Sequence, residues 1–325
     1  MPIVELDHVR KVYDTKVAVE GLSFTVEPAT MFGLLGPNGS GKTSSIRMMI
    51  GITVPDSGAV TLFDQPFTRK ALARVGYLPE ERGLYKKMNV LDQLVFLGQL
   101  HGLSASEARR RSRLWCEKLE ISEAIPKKTE DLSKGMQQKI QFIASLLHDP
   151  DLIIMDEPFS GLDPVNAVLL MDTLLELRRQ GKTIVFSTHR MDQVEKLCDN
   201  IALIHRGRLV LSGSMREVKS SYPRNRVHIA FEGSDGFLQH PAVESVKRFS
   251  GSADIRLRPS PTLAADTQFL LAAAMREALV TRFEVAEPTL EEIFIEKVHE
   301  TMPGSHPGDA ALDAADQTQE LAAHA

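Results

Sequence analysis

The sequence predicts an α/β fold, with a large domain followed by a smaller one of the same class. Three observations carry this. Residues 31–35, 152–155 and 183–187 are short, nearly unbroken apolar runs, the pattern of strands buried on both faces of a parallel sheet. The stretch Gly36-Pro37-Asn38-Gly39-Ser40-Gly41-Lys42-Thr43 joins the first run to a helical pattern at 44–51, so strand, glycine loop and helix follow one another. After a break at 220–225, alternation at Val227, Ile229 and Phe231 starts a second unit.

Taken in order, 3–9 and 17–26 alternate as strands. Pro55-Asp56-Ser57-Gly58 is a turn, and 59–63 reads as a strand entering another turn at Asp64-Gln65-Pro66. A buried strand at 75–78 is ended by Pro79. From 90 to 147 the period becomes helical. Val90, Leu94, Leu97 and Leu100 share a face, and Ser104 with Glu107 has capping-box spacing. Arg109-Arg110-Arg111 reads as a solvated helix face. A helix from Pro164 runs through Leu169, Leu170, Leu174 and Leu177 to Gly181, a C′ glycine. A short helix at 191–198 and strands at 201–204 and 209–211 close the first domain. Beyond the break, 269–279 is amphipathic, Phe283 and Val285 mark a strand, and Thr289-x-x-Glu292 caps a last helix. The segment 301–325 is rich in Ala, Gly and Asp, without Lys or Arg, and is expected to be disordered.

The bulk properties narrow the function. A chain of 325 residues with 43% apolar and 25% charged residues builds a sizeable core. Its net charge of −5 speaks against a general nucleic-acid binder. Cys116 and Cys198 lie in unrelated segments, which favours a reducing cytosol over a disulfide or zinc site. Residues 1–5 lack a secretory pattern, and no uncharged apolar run is long enough for a membrane span. Any membrane association must then run through a partner.

The chemistry gathers at a few motifs. The glycine loop lets backbone N–H groups converge on a phosphate above a helix N-terminus. Lys42 is placed to reach the β- and γ-phosphates, and the Thr43 hydroxyl to ligate Mg²⁺. Asp156 and Glu157 end a buried strand, where uncompensated carboxylates are costly and call for a use. Ser133 and Gly135 stand where a helix opens, a weak signal alone. Tyr13 suits adenine stacking, but on the local pattern alone an aromatic packed into the core is preferred.

In combination, Gly36 to Thr43, Leu132 to Gln138, Leu152 to Glu157, Ser160 to Pro164 and His189 resemble, in that order, the ATP-binding cassette (ABC) of ABC proteins over about residues 1–215. The resemblance implies a P-loop NTPase cassette: a mixed sheet core with antiparallel β and helical subdomains, followed by the small C-terminal α/β domain. It implies that Gly36, Asn38, Gly39, Ser40, Gly41, Lys42, Thr43 and Ser44 contact ATP, and that Tyr13 stacks on adenine after all. Thr43 and Asp156 then hold Mg²⁺, Glu157 is the general base, and His189 contacts the γ-phosphate. Ser133, Gly135 and Gln137 act on the ATP of a second copy, and Asp163 crosses that dimer interface. Two departures stand out. The signature reads Ser133-Lys134-Gly135-Met136, with one glycine after the serine. Glu80 occupies the position of a glutamine that touches Mg²⁺ and the membrane partner; a carboxylate still offers hard oxygen but adds charge.

The run Tyr77 to Tyr85 and the terminal Glu287 to Phe294 are similar to the sodium-efflux, ABC-2-type subgroup of exporter ATPase subunits, which carry a small C-terminal domain. The implied organisation is a cassette over 1–218 with a helical subdomain at about 86–147, an accessory domain over 225–300, and the tail. The implied partners are a second copy or a related ATPase subunit, and integral membrane permease subunits, on the cytoplasmic face of the cell membrane. Two other functions compete. One is a non-transport ABC ATPase in translation or DNA repair, which usually has tandem cassettes or a long coiled-coil insert. The other is a regulator that holds ATP without turnover, against which Glu157 argues.

Overall fold

In the computed structural model the described residues are 1–301 without Arg82, Pro259 and Pro261, and without the side chains of 299–301. The described residues divide into two compact units: Met1–Met215 with the described residues from Lys297 on, and Arg216–Glu296.

In the first unit β1 (Val4–Tyr13) and β2 (Lys16–Val26) form an antiparallel hairpin. The fully buried β3 (Met31–Leu35) leads through the glycine loop to α1 (Lys42–Met49). The strands β4 (Ser57–Leu62) and β5 (Gln65–Pro66) extend the hairpin into a sheet of order β2-β1-β4-β5. After β6 (Val75–Leu78) come three helices, α2 (Val90–Leu100), α3 (Ala105–Lys118) and α4 (Lys134–Leu146). Then follow β7 (Leu152–Asp156), α5 (Pro164–Arg179), β8 (Thr183–Thr188), α6 (Met191–Leu197), β9 (Asn200–His205) and β10 (Arg208–Ser214). These strands make a sheet of order β10-β9-β3-β8-β7-β6, parallel except for β10.

Register is what positions the site. Leu35 lies opposite Thr188, and Asp156 opposite Ser187, so β3, β7 and β8 end side by side. The loop after β3, the acids ending β7 and His189 after β8 therefore share one sheet edge, the usual ligand edge of an α/β sheet. Helix α1 is fixed there by packing. Ile46, Met48 and Met49 join Val4, Leu6 and Leu22 of the hairpin and Leu34, Ile154 and Val185 of the parallel sheet in one core. Each such fully buried side chain contributes about 1.5–3 kcal/mol.

Helix α7 (Met215–Ser220) carries the chain into the second unit. There β11 (Arg226–Gly233), β12 (Val243–Phe249), β13 (Ser252–Leu257), α8 (Leu263–Glu277) and β14 (Ala278–Ala286) follow in turn, and α9 (Leu290–Thr301) begins. The sheet is antiparallel, in order β12-β13-β11-β14. Val227, Ile229, Ala253, Ile255 and Leu257 face Leu270 and Ala274 of α8. The cap expected at Thr289 forms in both directions: Glu292 N donates to Thr289 Oγ1 (3.3 Å), and Thr289 N donates to Glu292 Oε2 (2.9 Å). Ser104 makes only half a box. Glu107 N donates to its hydroxyl (3.2 Å), but the Glu107 carboxylate is taken by Arg110 and Arg111.

Several expected boundaries move. β1 runs on to Tyr13, α1 starts at Lys42, and α8 starts at Leu263 and ends before Leu279, which belongs to β14. β12 and β13 were not expected at all. The disordered tail expected at 301–325 lies outside the described residues, apart from Thr301 at the end of α9.

Candidate nucleotide site

The loop is shaped by glycines that no other residue replaces. Gly36 has φ +150°, and a Cβ there would stand 2.1 Å from the Ile204 carbonyl oxygen; at Gly41 (φ +111°) it would stand 2.6 Å from that of Ala18. Ser40 is buried, its N–H on Pro37 O (3.2 Å) and its own carbonyl accepting from Gly207 N (2.8 Å). Lys42 turns back into the loop and donates to Gly36 O (2.8 Å) and Pro37 O (3.0 Å). Burial pulls its pKa below the ordinary lysine value, against Glu157, Asp156 and Glu80, which favour the charge.

A cleft of about 470 Å³ opens over this loop, within the usual range for a small-molecule site. It is lined by Tyr13, Lys16, Ala18, Asn38, Gly39, Gly41, Lys42, Thr43, Ser44, Glu80, Asp156 and Glu157. Ten of these were sequence candidates; Lys16 and Ala18 were not. Tyr13 is 40% exposed at the hairpin end, so the core packing preferred on the local pattern is wrong. The strand runs past the core there, and the ring projects beside the cleft.

The acids are held differently. Asp156 is buried; its Oδ1 accepts from Ser187 Oγ, while Oδ2 has no hydrogen-bond partner among the described residues. Glu157 takes a left-handed backbone (φ 48°), a local cost of about 1–3 kcal/mol, and its N–H is shared by Ser187 O (3.2 Å) and Oγ (3.3 Å). Its Oε1 accepts from His189 N (3.1 Å) and meets His189 Nδ1 at 2.9 Å. No hydrogen bond to Oε2 is found among the described residues. Burial, then Asp156 and Glu157, push the Glu80 carboxyl above the ordinary range. Ser187 therefore organises both acids, although the sequence reading passed over it; its place two residues before His189 at a strand end was the available signal.

The His189 pKa is raised, first by its bond to Glu157, with burial, Lys42 and Arg190 opposing. The stabilisation from this contact is therefore complete below the unfolded imidazole pKa and lost as pH rises through the higher folded value. An NMR titration is expected to find His189 above the ordinary imidazole value in the native chain and lower in Glu157→Gln. The same titration in both would disprove the coupling.

The other candidates lie outside the cleft. Ser133 caps α4, accepting from Met136 N (3.3 Å). Gly135 sits against the next turn; a Cβ on it would be 3.4 Å from Gly161 O. Gln137 donates to Thr129 O and Leu132 O (both 3.1 Å), fixing the approach to α4. Asp163 caps α5 through Asn166 N (3.0 Å).

An ABC transporter family model matches residues 19–160, and a model of the C-terminal domain of DrrA1-3-like ATP-binding proteins matches 213–298. The ABC transporter ATP-binding protein YhaQ of Bacillus subtilis is 40% identical over 297 residues, 91% of this chain and 98% of its own. The chain belongs to the ABC transporter ATP-binding proteins. It is an ATPase cassette of that family, binding ATP and hydrolysing it to power transport. The linearmycin resistance ATP-binding protein LnrL of the same organism is 30% identical over 92% of this chain and 99% of its own. Among solved structures, an ABC transporter ATP-binding subunit aligns with TM-score 0.62 and 28% identity, covering 67% of this chain and 92% of that one. Cassette cbiO1 of Clostridium perfringens aligns at 0.60 and 27%, covering 67% and 91%. The P-loop NTPase fold and the transport reading thus stand, over the alternatives in translation or DNA repair. Subunits of this family dimerise and work with membrane permeases.

Proposed function

We propose that the chain is the ATPase subunit of an exporter, working as a homodimer in which each copy completes the other's site. The observation that carries this is the split of the candidate residues. Tyr13, Asn38, Gly39, Gly41, Lys42, Thr43, Ser44, Glu80, Asp156 and Glu157 line one cleft, while Ser133, Gly135 and Asp163 stand outside it. A site missing its second wall is supplied by another copy, whose Ser133 and Gly135 present a helix N-terminus to the γ-phosphate. Export is supported by relatives named for linearmycin resistance and, in Paraburkholderia xenovorans, Nod factor export (39% identical).

Within the cleft Tyr13 stacks on adenine, the loop amides and Lys42 hold the phosphates, and Glu157 Oε2 takes the proton of the attacking water while His189 steadies Oε1. The orphaned Asp156 Oδ2 and the hydroxyl of Thr43 are hard oxygen donors that suit Mg²⁺, with Glu80 as a further one. When bound, Mg²⁺ neutralises charge developing on the β- and γ-phosphates. The cassette spans 1–218, with 225–300 as an accessory domain.

The permease contact is a second cleft of about 360 Å³, lined by Ile50, Ile52, Leu72, Tyr77, Leu84 and Leu97 among others. It is mainly apolar and borders the loop carrying Glu80, so an inserted partner segment would press on the nucleotide site. Among the described residues no helix is long and apolar enough to cross a membrane, and on this reading the partner supplies the membrane-spanning part at the cytoplasmic face. Gentle solubilisation and purification of the full chain is expected to bring down an integral membrane protein, less of it with Leu84→Asp. A complex without any integral membrane protein would overturn the reading.

A further inference from the structure

Lys86, Lys87, Lys127 and Lys128 are all exposed. Two backbone segments hold them together. Glu130 N donates to Lys86 O (3.0 Å), Thr129 N to Met88 O (3.1 Å) and Val90 N to Lys127 O (3.0 Å), and Asn89 bridges Lys128. None of the four ammonium groups has an ion-pair partner among the described residues. The exposed acids beside them are Glu130, Asp131 and, one helical turn before Phe96, Asp92, so four positive charges stand against three negative ones. Immediately before Lys86, Tyr85 is 55% exposed and meets Phe96 (37%) edge-on at 5.9 Å. The Tyr85 amide donates to Gln93 Oε1 (2.7 Å), which anchors this aromatic pair beside the lysines.

Lysines next to exposed rings suit one setting in particular: the cations meet anionic headgroups, and the rings sit at the boundary beneath. The whole chain carries −5, so attraction to an anionic surface needs a locally basic patch such as this one. An attraction confined to one patch also orients the molecule. The same loop supplies Gly83 and Leu84 to the apolar cleft.

We propose that Lys86, Lys87, Lys127 and Lys128, with Tyr85 and Phe96, form a docking surface for anionic phospholipid headgroups, seating the cassette on the membrane beside its partner. The orientation rests on the reading of the neighbouring cleft as the permease contact; the lipid contact itself does not.

The test is flotation of the full chain with phosphatidylcholine vesicles, with and without phosphatidylglycerol. Binding is expected on the anionic vesicles alone, and raised salt is expected to weaken it. Changing all four lysines to glutamine is expected to lower the bound-to-free ratio about tenfold or more, and each pair (K86Q/K87Q, K127Q/K128Q) by less. Inorganic phosphate or ATP at matched ionic strength is expected to leave vesicle binding intact. Equal flotation of the fourfold variant, binding regardless of lipid charge, or displacement by phosphate would overturn the proposal. Binding of a polyglutamate peptide with no flotation would overturn it too, assigning the patch to an acidic protein segment. ATP hydrolysis in vesicle-free solution is expected to be unchanged in the fourfold variant. Failed flotation with capture of the membrane partner intact removes the lipid contact alone; failed capture with flotation intact removes only the cleft reading.

Discussion

Replacing Glu157 with glutamine is expected to slow phosphate release by roughly a hundredfold to ten-thousandfold while ATP still binds, the usual range for loss of a general base. The geometry explains why the change is selective. Glutamine keeps the size of the side chain and an oxygen for the His189 N–H, now 3.1 Å from Oε1, so the wall of the cleft survives. What disappears is Oε2 and its ability to take a proton. The Ser187 contacts that fix the backbone of residue 157 involve its N–H and are untouched. With closure permitted and hydrolysis stalled, the ATP-bound dimer should accumulate. Sedimentation with ATP and Mg²⁺ is the second readout. Equal slow hydrolysis in native chain and variant would make the protein an ATP-holding regulator; a fast variant would move the base elsewhere.

Much of this site was legible because its chemistry needs contiguous residues. The loop from Gly36 to Thr43 and the pair Asp156-Glu157 each lie within one short segment, at the end of a strand whose apolar run announces burial. Residues that enter through register were harder to see. Lys16 and Ala18 reach the cleft because β2 folds back on β1, and Ser187 meets Asp156 because β7 and β8 pair with those residues opposite. No local pattern encodes either. Tyr13 failed on its own for the same reason: whether a strand-end aromatic is buried depends on where the sheet stops. In the second unit β13 was missed although Ala253, Ile255 and Leu257 alternate inward. β12 offered no such signal, because a shift in register at Val243 breaks its alternation and its charged residues face solvent. The expected amphipathic helix was bounded by Phe269 and Leu279, both exposed, whereas Leu270 and Ala274 do the packing.

Lys42→Ala is expected to weaken ATP binding about tenfold to a hundredfold, the scale of losing a charge-assisted hydrogen bond to phosphate. The residue is costly to keep. It is buried, its pKa is drawn down by that burial, and its ammonium sits on two carbonyls of the loop it belongs to. A lysine kept for stability alone would gain more from solvent. Its charge is instead the local counterweight to Glu80, Asp156 and Glu157, three carboxylates on the same cleft that would otherwise repel a polyphosphate. Removing it therefore acts twice, by taking away a phosphate donor and by leaving the acids unopposed. Because Gly36 O and Pro37 O also lose their partner, nucleotide-free stability must be measured alongside. The expected result is a modest loss in the free chain and a smaller ATP-induced stabilisation: with ligand at a hundred times the native Kd, about 2.7 kcal/mol falls to about 1.4 kcal/mol for a tenfold weakening and to about 0.4 kcal/mol for a hundredfold one. A variant that is destabilised when free but gains the native increment with ATP would make Lys42 a brace for the loop and not a phosphate ligand.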